Sequence, residues 1–303
     1  MKTNYGIISD IHRNPALVML VLDVLKDARV DNLILLGDIG DNEQIVSSVL
    51  NKTKKLGLET YIIPGSHETI RSFYEPMNHF GNLSSHLIDC TKNQKIEKKG
   101  HDLVFLPGSD WLCGGEFKLL EDENIKSGFY GTQEGSRYVI NMNDLRDLVT
   151  NPEKTIVVSH VPRKFEHQGD SVDNAYFAMQ SDGSLVPGIY LENSIRHQTG
   201  FKDITEIHKF AKANGFTFRN EKRGNEFLRK LYNDIGISKV INGHFHESAG
   251  NVHDALGNKL KEKEMYDELF WNTSYIDAGK FGILTVNDNK VGYRNLKLEG
   301  SAG

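Results

Sequence analysis

Two cysteines in 303 residues, Cys90 and Cys113, are too few for a disulfide framework or a thiolate metal site. So few thiols fit a reducing compartment. Long hydrophobic runs are also missing; the longest are strand-length, far short of a bilayer span. No apolar leader precedes the first strand, because Met1-Lys2-Thr3-Asn4 runs directly into it. A cytoplasmic chain with no membrane contact is therefore expected. Positive charge is not in excess either. Lys and Arg number 36 against 41 Asp and Glu, a formal net charge of -5. That balance gives no global electrostatic attraction to nucleic acid or anionic lipid. Internal repeats and low-complexity tracts are absent as well.

What remains is an ordinary globular composition, 38% hydrophobic and 25% charged, able to form a core without staples. Residues 1–299 are expected to form one domain, with 161–238 as an insertion or cap-like region. Gly300-Ser301-Ala302-Gly303 reads as a linker or tag remnant.

The first half alternates strand and helix. Tyr5 to Ser9, Asn32 to Leu36 and Leu58 to Ile63 are strand-like. Pro15 to Ala28 and Glu43 to Leu56 carry apolar residues at helical spacing. Such alternation predicts right-handed βαβ units and a parallel sheet. Ile88 to Ile96 and His101 to Leu106 predict an antiparallel pair around Lys98-Lys99-Gly100, hence a second sheet. Residues 109–137 read as loop. Helices are predicted over 143–150, 205–213 and 225–235, strands over 155–158 and 240–241, and a closing hairpin over 281–296.

Five short motifs each follow a strand-like apolar stretch: Ser9-Asp10-Ile11-His12, Gly37-Asp38-Ile39-Gly40-Asp41, Gly65-Ser66-His67-Glu68, Ser159-His160 and Gly243-His244-Phe245-His246. The end of a parallel strand fixes the backbone while the following loop presents the side chain. The one-residue spacer in Asp10-Ile11-His12 would put both side chains on one side of an extended backbone, and His244 and His246 would repeat that geometry. Carboxylates with neutral imidazoles suit Mn, Fe, Zn or Co rather than Ca. A carboxylate shared by two ions holds them roughly 3.5–4 Å apart, enough to clamp an in-line displacement. Taken singly, Asp10-x-His12 reads as a turn or cap, His160 as a satisfied buried imidazole, and His67-Glu68 as a surface pair. Their joint order is what points to a metal site.

In that order the chain resembles the calcineurin-like metallophosphoesterases, from residue 9 to residue 246. The resemblance implies a four-layer αββα sandwich of two mixed sheets flanked by helices, with two divalent ions at the strand ends. Manganese is the expected metal, with Fe, Zn, Co or Ni as alternatives. By the same resemblance Asp10, His12, Asp38 and His246 would hold the first ion, Asp38 bridging. Position 66, His160 and His244 would hold the second. His67 would protonate the leaving oxygen, oriented by Asp41. One residue departs: the family's third block reads Gly-Asn-His, and Ser66 stands in the place of the Asn. A serine hydroxyl has a shorter reach than an amide oxygen, so the second ion is the one whose binding Ser66 would alter.

Between His160 and His244, residues 202–230 carry eight Lys/Arg and four Asp/Glu, interleaved with Phe201, Phe210, Phe216, Phe218 and Phe227. Two readings are open. The stretch could form a cap giving cations to phosphates and rings to bases. Alternatively, Ile207, Phe210, Phe227, Leu231 and Ile235 could be the core faces of two amphipathic helices with solvated lysines. Trp111 and Gly114-Gly115-Glu116 are candidates for the pocket rim. The expected function is phosphoester hydrolysis, on a diester of a nucleotide or nucleic acid. A phosphomonoesterase, including a protein phosphatase, and a non-catalytic scaffold are the alternatives.

Overall fold

The computed structural model describes residues 2–110, 115–132, 135–166, 169–273 and 275–298. Trp111, Cys113, Gly114 and the closing 300–303 lie outside them.

Two six-stranded sheets dominate. In the first, β1 (Lys2–Ile8), β2 (Asn32–Leu36), β3 (Glu59–Ile63) and β4 (Leu87–Asp89) run parallel. The hairpin of β17 (Lys280–Asn287) and β18 (Lys290–Lys297) joins β1 antiparallel. In the second, β6 (His101–Leu106), β10 (Thr155–Ser159), β14 (Lys239–Asn242) and β16 (Leu269–Asn272) are parallel. There β5 (Lys95–Lys98) and β15 (Val252–His253) form antiparallel edges.

Strand β2 is apolar from Leu33 to Leu36 because both faces are covered, and the alternation decides which residue meets which layer. Ile34 and Leu36 join Tyr5, Ile7, Tyr61 and Ile63 against Phe105, Ile156, Val158 and Trp271 of the other sheet. Leu33 and Leu35 turn outward onto helices α1 (Pro15–Asp27) and α2 (Glu43–Lys54), through Val18, Val21, Val46 and Val49. Helix α3 (Ile70–Gly81) follows β3, capped by reciprocal Thr69 and Ser72 bonds. The result is the expected sandwich of two mixed sheets with helices outside.

Three expectations are corrected. Residues 88–96 are not one strand. Cys90 to Gln94 carry the chain from β4 of the first sheet to β5 of the second, and only β5 pairs with β6, through Lys98 opposite His101. Residues 109–137 are not simply loop. They hold β7 (Phe117–Leu120) and β8 (Gly128–Thr132), which pair with β9 (Gly135–Asn141) in a small sheet. Only Phe117 and Leu119 of β7 turn inward, too short an apolar signal to read by period.

Residues 174–222 build another small sheet, β11 (Asn174–Gln180) between β12 (Leu185–Pro187) and β13 (Phe216–Lys222). Helices α5 (Gly188–Thr199) and α6 (Ile204–Ala213) accompany it. Ile195, Ile207 and Ala211 are buried there, with Phe201, Phe216 and Phe218 packed against them. Phe210, a core residue in the reading of two amphipathic helices, is 36% exposed, which is the third correction. Short α4 (Leu145–Leu148) precedes β10, and α7 (Glu226–Ile235) buries Leu228, Leu231 and Tyr232 in the same core as Val104, Val157 and Val240. Among the described residues no helix is long and apolar enough to cross a membrane.

Candidate metal centre

The loops after β1, β2, β3, β10 and β14 meet at one end of the two sheets. Their backbones are tied together: Ile11 N–H donates to Asp38 O at 2.8 Å, Asp41 N–H to His12 O at 3.2 Å, and Gly243 N–H to His160 O at 3.1 Å. Asn272 Nδ2 braces the last loop from β16 by donating to Gly243 O at 3.2 Å and Phe245 O at 2.9 Å.

The side chains are not aimed by strand alternation, as the one-residue spacers suggested. Asp10, His12, Asp38 and His244 all have positive φ, at 54°, 48°, 48° and 72°. Such a backbone costs a non-glycine residue on the order of 1 kcal/mol or more and persists where the surroundings over-determine it. Here each left-handed residue turns the chain sharply at a strand end. Glycine is needed where the loops close on each other. At Gly37, with φ of 85°, a Cβ would sit 2.6 Å from His160 Nδ1, and at Gly65 it would collide with an Asp38 oxygen.

Two groups of ligand atoms result. In the first, His246 Nε2 lies 3.3 Å and His12 Nε2 4.0 Å from Asp10 Oδ1, and the two nitrogens are 3.0 Å apart. His246 is held flat by Tyr275, whose ring stacks on it at 4.0 Å. Asp10 is fully buried and accepts a hydrogen bond from Ser9 Oγ. The second group is Asp38, His160 and His244. His160 is fully buried; its Nδ1 bonds the Leu36 carbonyl at 2.9 Å, and its Nε2 faces Asp38 Oδ2 at 3.2 Å without an aligned hydrogen bond. Ser66 reaches the same carboxylate. Its hydroxyl donates to Asp38 Oδ2 at 2.8 Å, while Ser66 and His67 N–H donate to Oδ1 at 2.5 and 2.9 Å.

His67 stands at the open side, its side chain 41% exposed, with Nδ1 3.1 Å from Asp41 Oδ1. The same oxygen lies 3.5 Å from His12 Nδ1, and Arg13 Nε bonds the other oxygen at 2.6 Å. All nine residues singled out in the motifs therefore come together. Glu68 was underrated. It is fully buried rather than a surface partner of His67, and it accepts the backbone N–H groups of Ile39, Gly40 and Gly65. It locks the second motif to the third. Tyr275, Asn272 and Ser9 were also unread, since a stacking ring, a loop brace and a carboxylate donor leave no spacing signal.

Charge follows the geometry. Burial disfavours a charged His160, but the Asp38 carboxylate outweighs it and pushes its pKa up to about 10. Burial likewise opposes His12, yet Asp41, Asp38 and Asp10 raise it to about 9. Burial would lift Asp10 and Asp38, but their histidine partners hold both below the usual carboxylate range. Asp41 is held down first by His12 and also by Arg13. Burial pushes His244 down to about 3, so it is neutral. Burial and the nearby Asp38 push Glu68 up to about 7.

These residues fit a pair of cations. In each group a carboxylate oxygen and imidazole nitrogens converge, and several of their other valences are already committed. His160 Nδ1 is spent on Leu36, His12 Nδ1 faces Asp41, and Asp38 Oδ1 takes two backbone donors. Such outer partners fix the tautomer that a ligating histidine needs.

The sequence model described as calcineurin-like phosphoesterase matches residues 3–248. Among curated proteins none matches the sequence. Of solved structures, TT1561 of Thermus thermophilus superposes with a TM-score of 0.56 at 11% identity, over 97% of this chain and 99% of that one. A dimetal phosphatase from Danio rerio gives 0.50 at 11% identity, over 97% and 98%. At these identities the likeness is one of fold.

Proposed function

The chain belongs to the calcineurin-like phosphoesterase family and is a metal-dependent phosphoester hydrolase, and from that premise we propose that it hydrolyses a phosphodiester of a nucleotide or nucleic acid. The observation that carries the diester reading is a cavity of about 570 Å³ beside the metal centre. It runs from Asp38, Ser66, His67, His244 and His246 to Arg223, under the hairpin of β11 and β12. A phosphate held at the histidines has room there for a second esterified group.

In this reading Asp10, His12, Asp38 and His246 would hold one ion and Ser66, His160 and His244 the other, with Asp38 placed to serve both. Manganese suits the oxygen and imidazole donors. The ions, when bound, supply positive charge for the phosphoryl oxygens and acidify a water. The protein does the rest. Glu68 and the backbone donors of residues 66 and 67 keep Asp38 at fixed distance from both histidine sets. Asp41 orients His67, its Oδ1 standing 3.1 Å from Nδ1. His67 then gives a proton to the departing oxygen. Arg13 Nε bonds the second oxygen of Asp41 at 2.6 Å, which favours the orientation that leaves Oδ1 toward His67. Residues 1–299 act as one unit in the cytoplasm, and within the inserted 161–238 the small sheet of 174–222 forms the wall over the site while α7 packs into the main core.

Assay of the Mn²⁺-loaded protein on bis(p-nitrophenyl) phosphate and on p-nitrophenyl phosphate tests this. A kcat/KM at least about tenfold higher for the diester is expected. A preference for the monoester would replace the reading with a phosphomonoesterase.

A further inference from the structure

The far wall of the cavity has a chemistry of its own. Phe177, Leu185, Val186, Pro187 and Phe245 make it apolar, and Arg223 and Glu247 are the charged side chains beyond the metal-binding end. Arg223 lies over the ring of Phe177 with its guanidinium carbon 4.4 Å from the ring centroid. Glu221 holds the same guanidinium edge-on at 3.0 Å. One face of the guanidinium is therefore backed by an aromatic ring, and its plane is fixed by a carboxylate.

The wall is also rigid. Tyr176 donates its hydroxyl to Glu192, and His208 Nε2 lies 3.0 Å from both partners. The rings of Tyr176 and Phe218 stack at 13° with centroids 5.6 Å apart, and His208 stacks on the same Phe218 at 4.2 Å. Gly188 starts α5 directly over Tyr176; a Cβ there would sit 2.5 Å from the ring. No larger residue lets the helix approach so closely.

We propose that this wall is a nucleoside pocket: the Phe177-backed plane of Arg223 stacks a base, Glu247 accepts an N–H from the base edge, and the sugar leads back to the phosphate at the histidines. The inference rests on the phosphodiester reading and names its substrate class. A flat heteroaromatic group uses every feature of the wall. Base stacking on aromatic and guanidinium planes is worth a substantial factor per base and tolerates all bases. Glu247 lines the cavity as an acceptor, and every common nucleobase offers it an N–H. An acyl chain would use only the apolar part of the wall and make no polar contact with Arg223 or Glu247.

Two diesters with the same leaving group isolate the pocket: the p-nitrophenyl ester of a nucleoside 5′-monophosphate, and methyl p-nitrophenyl phosphate. The wild-type ratio of kcat/KM, nucleoside over methyl, is expected to be about 10- to 100-fold. Arg223→Lys keeps the charge and removes the plane. It should lower that ratio about tenfold through KM, as should Glu247→Gln. A ratio near one in the wild type, or an unchanged ratio in both variants, overturns the pocket. Titration calorimetry of the loaded protein with a nucleoside 5′-monophosphate and with methyl phosphate reads the pocket without turnover. Tighter binding of the nucleotide, weakened in Arg223→Lys, supports it; equal binding overturns it. If neither diester is hydrolysed, the phosphodiester reading fails, and the calorimetry still decides the pocket.

Discussion

Loading the centre with metal should expel protons, and the structure says which ones. His160 and His12 are raised to about 10 and about 9, so both are protonated at pH 7 in metal-free protein. Each has Nδ1 committed, to the Leu36 carbonyl at 2.9 Å and to Asp41 at 3.5 Å. The proton that can leave is therefore on Nε2 in both, the atom that turns to the carboxylate of its group. His244, pushed down to about 3, has none to give. Filling both positions should release about two protons per chain, and the overall apparent affinity should rise roughly 100-fold per pH unit between pH 6 and 8. The assay is calorimetric titration of Mn²⁺ into chelator-stripped protein, in buffers of different ionisation enthalpy, whose slope counts protons. His160→Gln should release about one fewer. Stability follows with a definite sign. A raised histidine stabilises the stripped fold fully below its unfolded pKa, roughly 6.5, and that contribution is lost as pH climbs through about 9 and about 10. The rise in Tm on adding metal should then grow with pH. A binding enthalpy independent of buffer would refute the reasoning, because it would mean that the histidines are already neutral.

His67→Ala should cost roughly 10²–10⁴-fold in turnover of esters with poor leaving groups, and much less for nitrophenolate, which departs without a proton; equal losses on both would make His67 a supporting residue only. Ser66→Asn exchanges the hydroxyl donated to Asp38 at 2.8 Å for a longer amide oxygen, and should tighten the second ion and raise kcat, as read by metal titration and initial rates; a lower rate would show that the hydroxyl bond to Asp38 matters more. Away from the site, His101 is buried with Nε2 2.6 Å from the Tyr5 hydroxyl, and burial pushes it down to about 4. Because the unfolded chain binds that proton first, stripped protein should lose up to about 3 kcal/mol as pH falls from roughly 6.5 to 4. His101→Gln, which keeps an acceptor for Tyr5, should flatten that limb of a denaturation series; an unchanged limb would assign the acid loss elsewhere.

Much of this site could be read from the chain because its chemistry is local. Asp10, Asp38, His160 and His244 each close a strand whose apolar run is visible, and a strand end is a fixed address. The direction of those side chains could not be read, since it depends on left-handed turns at Asp10, His12, Asp38 and His244 that no spacing announces. Glu68 was misjudged for a related reason. Its partners are the backbone amides of Ile39 and Gly40, which are far away in sequence and carry no side-chain signature. In the fold, β2 declared itself by four consecutive apolar residues, whereas β8 leaves Phe129 and Tyr130 exposed and is held mainly by backbone pairing to β9, where alternation is weak. The wall between β11 and β13 had the least signal. Its helix α6 shows one buried stripe, but the cavity depends on how Gly188 seats α5 over Tyr176, a contact between elements rather than a pattern within one.

The binuclear centre is tested most directly by metal content after reloading with Mn²⁺ and removal of free ion. The wild type should hold about two ions per chain. His246→Ala and His244→Ala each remove a ligand from a different group, so each should retain about one. Anomalous scattering should find the retained ion beside Asp38 and His160 in the first variant and beside Asp10 and His12 in the second. No bound metal in the wild type, or loss of the same ion in both variants, would contradict a two-ion site built on Asp38.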